Sequence, residues 1–328
     1  MLRRREFIAG LAGAAVWPVA ARAQLPDRMR RVGCLYAFAE NDPIVQARVA
    51  VFREGLAQLG WTERNVRIEE RFVRGDADQM QAYAAELVGS APDVIVVNST
   101  PVLAALKQAT RTIPIVFFIV NDPAGQGFVD SLGHPGGNIT GFSFVEFPML
   151  GKWLEMLKEI APSVNRTALV FNPQTAPYYP AFLRDLKAAP ATPAELSAMP
   201  VRDEAEIEAA VSAFAGEPGG GLIVTPDPFM IAHRAIVIAL AERHRLPAFY
   251  GLRNFVRDGG LISYGPDTLD IVRRSASYVD RVLKGERPGE LPVQGPAKYE
   301  LLINLKTAKT LGLTVPVTLR VRANEVIE

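Results

Sequence analysis

The amino-acid sequence predicts an α/β protein made of two Rossmann-like lobes with parallel sheets. Three observations carry that expectation. Short apolar runs alternate with helical patterns, which places helices on both faces of parallel strands. The alternation comes in two successive runs. The 328-residue chain also exceeds what one domain usually holds, so two cores are expected.

The elements follow in order. Val32–Tyr36 is a first strand, and Asp42 caps a helix with Pro43 at its first position. Val45, Val49, Phe52, Leu56 and Leu59 recur at spacings of four and three on one face, and Gly60 stops the helix. Val66–Val73 and Asp93–Val97 are strands followed by helices at Asp76–Ser90 and Pro101–Thr110, and Ile113–Val120 is the fourth strand. The second run has a helix through Lys152–Ile160, a strand at Thr167–Phe171 and a helix at Pro180–Ala188. Asp203–Ala215 is a helix, Gly221–Thr225 a strand, Ile231–His244 a helix and Pro247–Tyr250 a strand. Gly260–Tyr264 is one more strand, and Asp267–Lys284 a long amphipathic helix. Segments 188–194 and 216–221, rich in Pro, Gly and Ala, read as surface loops.

The first residues carry an address. MLRRREFIAGLAGAAVWPVAARAQ has a basic start, an apolar run from Phe7 to Ala20, and Ala21-Arg22-Ala23 as an A-x-A-like cleavage site. The run falls short of the ~20 apolar residues of a membrane span. Residues 1–23 are therefore expected to be a signal peptide cut after Ala23. Arg4-Arg5-Glu6-Phe7-Ile8 is similar to the twin-arginine (Tat) export signal, with Arg3 where that pattern prefers Ser or Thr; the Sec route stays open. These residues hold four Arg against one acid, and without that excess of three the net charge falls from +1 to −2. No basic field for nucleic acid remains. Cys34 is the one cysteine, lies within the first strand and reads as a buried core thiol. The mature chain is expected to be soluble, without membrane insertion.

In open α/β sheets the ligand crevice lies beyond the carboxyl ends of the strands. Polar residues accumulate there: Glu40-Asn41-Asp42, Asn98-Ser99-Thr100, Asn121-Asp122, Asn172, Asp227 and Asp267. Each alone is an ordinary turn or cap residue; their recurrence favours a polar cleft between lobes. NDPAGQGF at 121–128 brings two glycines and an acid to the fourth strand's end. The GxGxxG pattern fails there, because Asp130 stands at its third glycine, and Asp122 would repel a phosphate. No GxxxxGK[ST], HExxH or G-x-S-x-G occurs, and His134, His233 and His244 lack metal-ligand spacing. No cofactor, metal or catalytic residue is expected.

At this point the chain resembles the ABC-transporter substrate-binding protein family related to tryptophan/tyrosine-binding components. The segments that carry the likeness are 33–61, APDVIVVNSTPV (91–102), NDPAGQGFVDSLGHPGGNITG (121–141), GLIVTPDPF (221–229), SYGPD (263–267) and INLKTAKTLGLTVP (303–316). The resemblance implies a type I periplasmic-binding-protein fold, with the lobes joined by a three-strand hinge. It places 30–141 with 266–287 in one lobe and 142–265 with 288–328 in the other, with 136–141 as the first crossing. It further implies ligand contacts at Ser99, Thr100, Asp122, Thr140, Asn172 and Asp227. Ser99 and Thr100 would bind a carboxylate, and Asp122 or Asp227 an ammonium group. Tyr36, Phe38, Tyr250 and Tyr264 would either wall the pocket or pack in the core. Aromatic-amino-acid binders of the family tend to carry Asn after the acid at 227, where this chain has Pro228. The expected protein is a periplasmic receptor that captures a small polar or amphipathic ligand, an amino acid or a related carboxylate or amide. It would pass that ligand to an inner-membrane ABC permease. A receptor feeding a sensor kinase and a glycosyltransferase-like enzyme are the alternatives.

Overall fold

A computed structural model describes residues 28–73, 77–145, 148–188 and 195–328. The expected signal peptide, 1–23, lies outside the described residues, as does most of the loop expected at 188–194.

The first lobe is a five-stranded parallel sheet of order β2-β1-β3-β4-β5. Its strands are β1 (Arg30–Tyr36), β2 (Val66–Phe72), β3 (Val94–Asn98), β4 (Ile115–Val120) and β5 (Ile139–Ser143). β3 and β4 are apolar almost without interruption and buried throughout, as strands covered on both faces must be. Helices α1 (Pro43–Gln58), α2 (Ala77–Gly89) and α3 (Thr100–Ala109) make the connections. Asp42 caps α1 by accepting from Ile44 N at 2.7 Å.

The second lobe is a seven-stranded sheet of order β12-β11-β10-β9-β8-β6-β7. It comprises β6 (Arg166–Phe171), β7 (Glu195–Pro200), β8 (Gly220–Val224), β9 (Ala248–Tyr250), β10 (Ile262–Pro266), β11 (Tyr299–Asn304) and β12 (Glu325–Ile327). All neighbours run parallel except β10 and β11. Its helices are α4 (Pro148–Ile160), α5 (Tyr179–Ala188), α6 (Glu204–Ala215), α7 (Pro228–Ala232), α8 (Arg234–Arg243) and α9 (Arg253–Arg257). The chain then returns to the first lobe as α10 (Thr268–Leu283) and ends through α11 (Leu305–Thr310) and α12 (Val317–Arg322). Among the described residues no helix is long and apolar enough to cross a membrane.

α10 docks on α1 at a close approach: a Cβ on Gly55 would stand 2.9 Å from that of Ala276. Trp61 Nε1 ties the same pair by donating to Asp280 at 2.9 Å. The chain segments linking the lobes bond to one another. Ser143 N donates to Gln294 O at 2.9 Å, and Gln294 N to Gly141 O at 3.0 Å. Thr140 Oγ1 donates to Leu291 O at 2.6 Å.

Three local expectations change. The helix expected at Ile231–His244 is two helices meeting at His233, because Asp227 caps a start as early as Pro228. Within 136–141, expected as the first crossing, residues from Ile139 onward already pair with β4 as part of the sheet's last strand. The strand expected at Gly260–Tyr264 runs Ile262–Pro266, since Gly260 N first closes a turn onto Phe255 O at 2.8 Å.

Gly141 sets the crossing. A Cβ there would stand 2.0 Å from Phe117 O, a clash that only backbone movement relieves. Gly141→Ala should therefore lower the thermal midpoint by several degrees, given about 1–3 kcal/mol for overpacking. Gly137→Ala, where an added Cβ meets nothing within 4 Å, should leave it unchanged. Equal midpoints for the two variants would mean that β5 gives way at no cost.

Candidate functional site

The two sheets aim their carboxyl ends at one enclosed cavity. The first lobe lines it with Phe38, Arg48, Asn98, Ser99, Thr100, Ile119 and Asn121, and the second with Thr175, Tyr178, Pro226, Pro228 and Ile231. The lobes meet over it: Asn121 Nδ2 donates to Tyr178 OH at 2.5 Å, and Arg234 stands 4.0 Å from Asp42. In this closed arrangement the cavity measures about 10 Å³, roughly the space of one water. A groove of about 770 Å³ adjoins it, sharing Phe38, Thr175 and Pro228 and reaching out to Asp42, Arg202 and His233.

The polar groups around the cavity are incompletely satisfied. Arg48 Nε, Asn98 Nδ2 and Ser99 Oγ are all buried without a hydrogen-bond partner. Arg48 lies on the apolar face of α1 and is 2% exposed. Its guanidinium stands over the Phe38 ring, 5.6 Å from the centroid, and among the described residues it forms no salt bridge. Burial lowers its pKa to about 10 and the charge of Asp42 partly offsets this, so it remains a cation at neutral pH. Asn98 spends its Oδ1 on Ala37 N at 2.8 Å, which leaves its amide donor unused.

Backbone strain collects at the same strand ends. Ser99, at the N-terminus of α3, has φ 77° and ψ 153° and makes no side-chain cap. That region belongs almost entirely to glycine, and a serine held there costs on the order of 1–3 kcal/mol. The strain keeps the hydroxyl off the helix amides it would ordinarily cap. Ile119 has φ 58° at a register shift in β4, a bulge that turns its side chain toward the cavity.

Of the residues expected from sequence, the structure brings Phe38, Ser99 and Thr100 to the cavity. Asn172 lines the adjoining groove, but its Oδ1 is occupied by Gln174 N and Thr175 N at 2.8 and 3.2 Å. The others stand elsewhere, each for a physical reason. Asp122 accepts from Gly125 N at 3.0 Å, so the acid of NDPAGQG closes its own turn at the surface. The opening Gly125 is required there, because a Cβ would meet the Asp122 carboxylate at 2.1 Å. Thr140 is buried within β5, its hydroxyl bonded to Leu291 O. Asp227 is buried and accepts from Thr175 Oγ1, Met230 N, Thr225 Oγ1 and Asn172 N. Burial pushes its pKa up while those donors pull it down. Tyr250 stacks on Phe255 in the second core, Tyr264 stacks on Tyr299, and Tyr36 stacks on Phe72. Cys34 is a buried thiol with its pKa pushed up to about 12, first by burial. Among the described residues no group of three His, Cys, Asp or Glu could hold a metal.

Arg48, Thr175 and Tyr178 are absent from the sequence expectations. Arg48 had a legible signal: it falls three residues after Val45 and four before Phe52, a charge on the apolar stripe of α1. Thr175 and Tyr178 had none, because they follow an irregular turn after β6.

Against this geometry, a family model described as ABC transporter substrate binding protein matches residues 35–327. A tyrosine-binding protein of Clostridioides difficile (strain R20291) is 27% identical over 265 residues, covering 80% of this chain and 75% of the relative. A conserved domain protein of Vibrio cholerae O1 biovar El Tor has a solved structure with 30% identity and a TM-score of 0.84, covering 91% of this chain and 100% of that one. An ABC domain from Streptococcus pneumonia solved in complex with L-Trp has 24% identity, a TM-score of 0.84 and the same coverage.

Asp227 serves as a structural knot between β6, β8 and α7. Each Asp227 oxygen accepts two of the four bonds, so Asp227→Asn sets an amide N–H₂ against two of the donors, and a buried donor left unpaired costs about 1–3 kcal/mol. Calorimetry should find a midpoint several degrees lower. An unchanged midpoint would show that the bonds to the replaced oxygen carry no stability.

Proposed function

The chain belongs to the ABC transporter substrate-binding protein family, and from that premise we propose that it is an exported, periplasmic, non-enzymatic receptor that captures a small carboxylate between its lobes and delivers it to an inner-membrane ABC permease. The observation that carries the reading is the convergence of three unpartnered buried polar groups, on Arg48, Asn98 and Ser99, on one interlobe cavity. Two carboxylate oxygens accept up to about four hydrogen bonds, and a guanidinium matches their geometry. Ser99 and Thr100 add the positive end of the α3 dipole.

Closure is the second half of the mechanism. The bodies that move are 30–141 with 266–287 and 142–265 with 288–328, hinged where β5 and the Leu291–Gln294 segment run side by side. With the lobes apart, Arg48 and Ser99 face water and a ligand can enter. With them together, Tyr178 and Thr175 roof the cavity, Tyr178 OH takes the Asn121 amide, and the excluded water strengthens each bond to the ligand. The permease would read the closed pair of lobe surfaces. A tyrosine-binding relative supports a carboxylate-bearing ligand, with amino acids and related carboxylates both in that class.

Thermal unfolding of the purified chain, refolded to strip carried-over solute, tests the reading against carboxylates, amino acids, amides, sugars and nucleotides. A carboxylate present at a hundred times its Kd stabilises by about 2.7 kcal/mol, a rise of several degrees. In Ser99→Ala the carboxylate should bind about tenfold more weakly, while the ligand-free midpoint does not fall, because Ala keeps the same backbone strain and the lost hydroxyl had no partner. A shift from sugars or nucleotides alone would overturn the carboxylate assignment, and no shift from any class would overturn capture in this cleft.

A further inference from the structure

The cavity has a place for a negative charge and none for a positive one. Arg48 is the single charged residue among those lining it, and no Asp or Glu is present. Both acids expected to receive an ammonium group are committed elsewhere. The Asp122 carboxylate is bound to Gly125 N in its own surface turn. Asp227 lies outside the lining, and its two oxygens already accept four hydrogen bonds. Asp42, whose charge reaches Arg48, faces the outer groove, caps α1 and has Arg234 of the other lobe 4.0 Å away.

The acceptors that remain are neutral, Ser99 Oγ among them, and several are already engaged. Asn121 Oδ1 accepts from Val145 N at 2.9 Å, Asn98 Oδ1 from Ala37 N, and Thr100 Oγ1 from Asn121 N at 3.3 Å. Pro228 brings no side-chain donor or acceptor. A protonated amine entering here would meet a like-charged guanidinium and lose its hydration without a counter-charge. Away from the three unpartnered groups the lining combines the apolar Phe38, Ile119, Ile231, Pro226 and Pro228 with Thr100, Asn121, Thr175 and Tyr178, whose side-chain polar atoms are hydrogen-bonded to one another or to the surrounding protein.

Building on the receptor reading above, we infer that the ligand is an apolar monocarboxylate without an ammonium group, an aliphatic or arylalkanoic acid, held at its carboxylate by Arg48, Asn98 and Ser99. Its hydrocarbon body would lie against Phe38, Ile119 and the second-lobe prolines with the lobes further apart than in this arrangement, whose cavity of about 10 Å³ has room for about one water. Discrimination against amino acids of the same shape comes from the missing counter-charge.

Isothermal titration of the purified, refolded chain tests this with matched probes: 3-phenylpropanoate against L-phenylalanine and 3-phenylpropanamide, and 4-methylpentanoate against L-leucine. The acid should bind, with its amino-acid and amide partners about 100-fold weaker. Arg48→Gln should weaken the acid about 100-fold or more while raising the ligand-free midpoint, because it removes an unpaired buried charge; Ser99→Ala gives the same direction of effect without touching the charge. An amino acid that binds as tightly as its matched acid overturns this inference and leaves the solute receptor standing. Acid binding that is insensitive to Arg48→Gln, with both variants folded, overturns it as well. If neither these probes nor any sugar or nucleotide binds, the inference and the receptor reading fall together.

Discussion

An arginine buried without an anion is the constraint around which this molecule is organised. Arg48 sits on the core-facing stripe of α1 between Val45 and Phe52, where a hydrocarbon would serve stability better. Removing an ion from water costs several kcal/mol even after the protein relaxes. The Phe38 ring face and the distant charge of Asp42 offset only part of that. The remaining cost is a standing preference for a bound anion, and it acts most strongly in the closed state, where water is excluded.

The rest of the site is arranged to present further donors to that anion. Ser99 tolerates a backbone conformation suited to glycine, and its hydroxyl is thereby left off its own helix. The bulge at Ile119 turns an apolar side chain toward the same space. Asn98 and Asn121 use their carbonyl oxygens on backbone amides, which fixes where their N–H₂ groups stand. One of those amides meets Tyr178 across the cleft, while the other stays free. Strain and unpaired donors thus gather at the strand ends that a closing lobe covers, although others stand elsewhere, as at Ala91, Arg245 and Arg253. The central strands beneath them are buried, apolar and fully paired.

Much of the fold was legible because it follows from periodicity. The apolar runs VIVVN and IVFFIV and the stripe on α1 have the lengths and spacings of buried strands and an amphipathic helix. The short elements were not legible. β7 (ELSAMP) and β12 (EVI) carry little pattern of their own and exist as strands because β6 and β11 offer them hydrogen bonds. The break at His233 depends on Asp227 capping a helix at Pro228, a competition between two possible starts that composition does not rank.

The site divides along the same line. By itself the sequence determined the α/β class, the polar residues at the carboxyl ends of the strands and the charge hidden on the apolar face of α1, because these depend on neighbours within a turn or two of chain. Only the tertiary structure decided which of those polar groups remain available. Asp122 and Asp227 look alike in sequence to ligand-pairing acids, yet one is spent on Gly125 and the other on donors brought from Asn172, Thr175, Thr225 and Met230. A carboxylate whose lone pairs are met by buried donors, as at Asp227, has little left to offer a ligand. For Asp227 two of those donors, Asn172 and Thr175, lie 55 and 52 positions away, so packing decides it, whereas Asp122 is settled within its own turn.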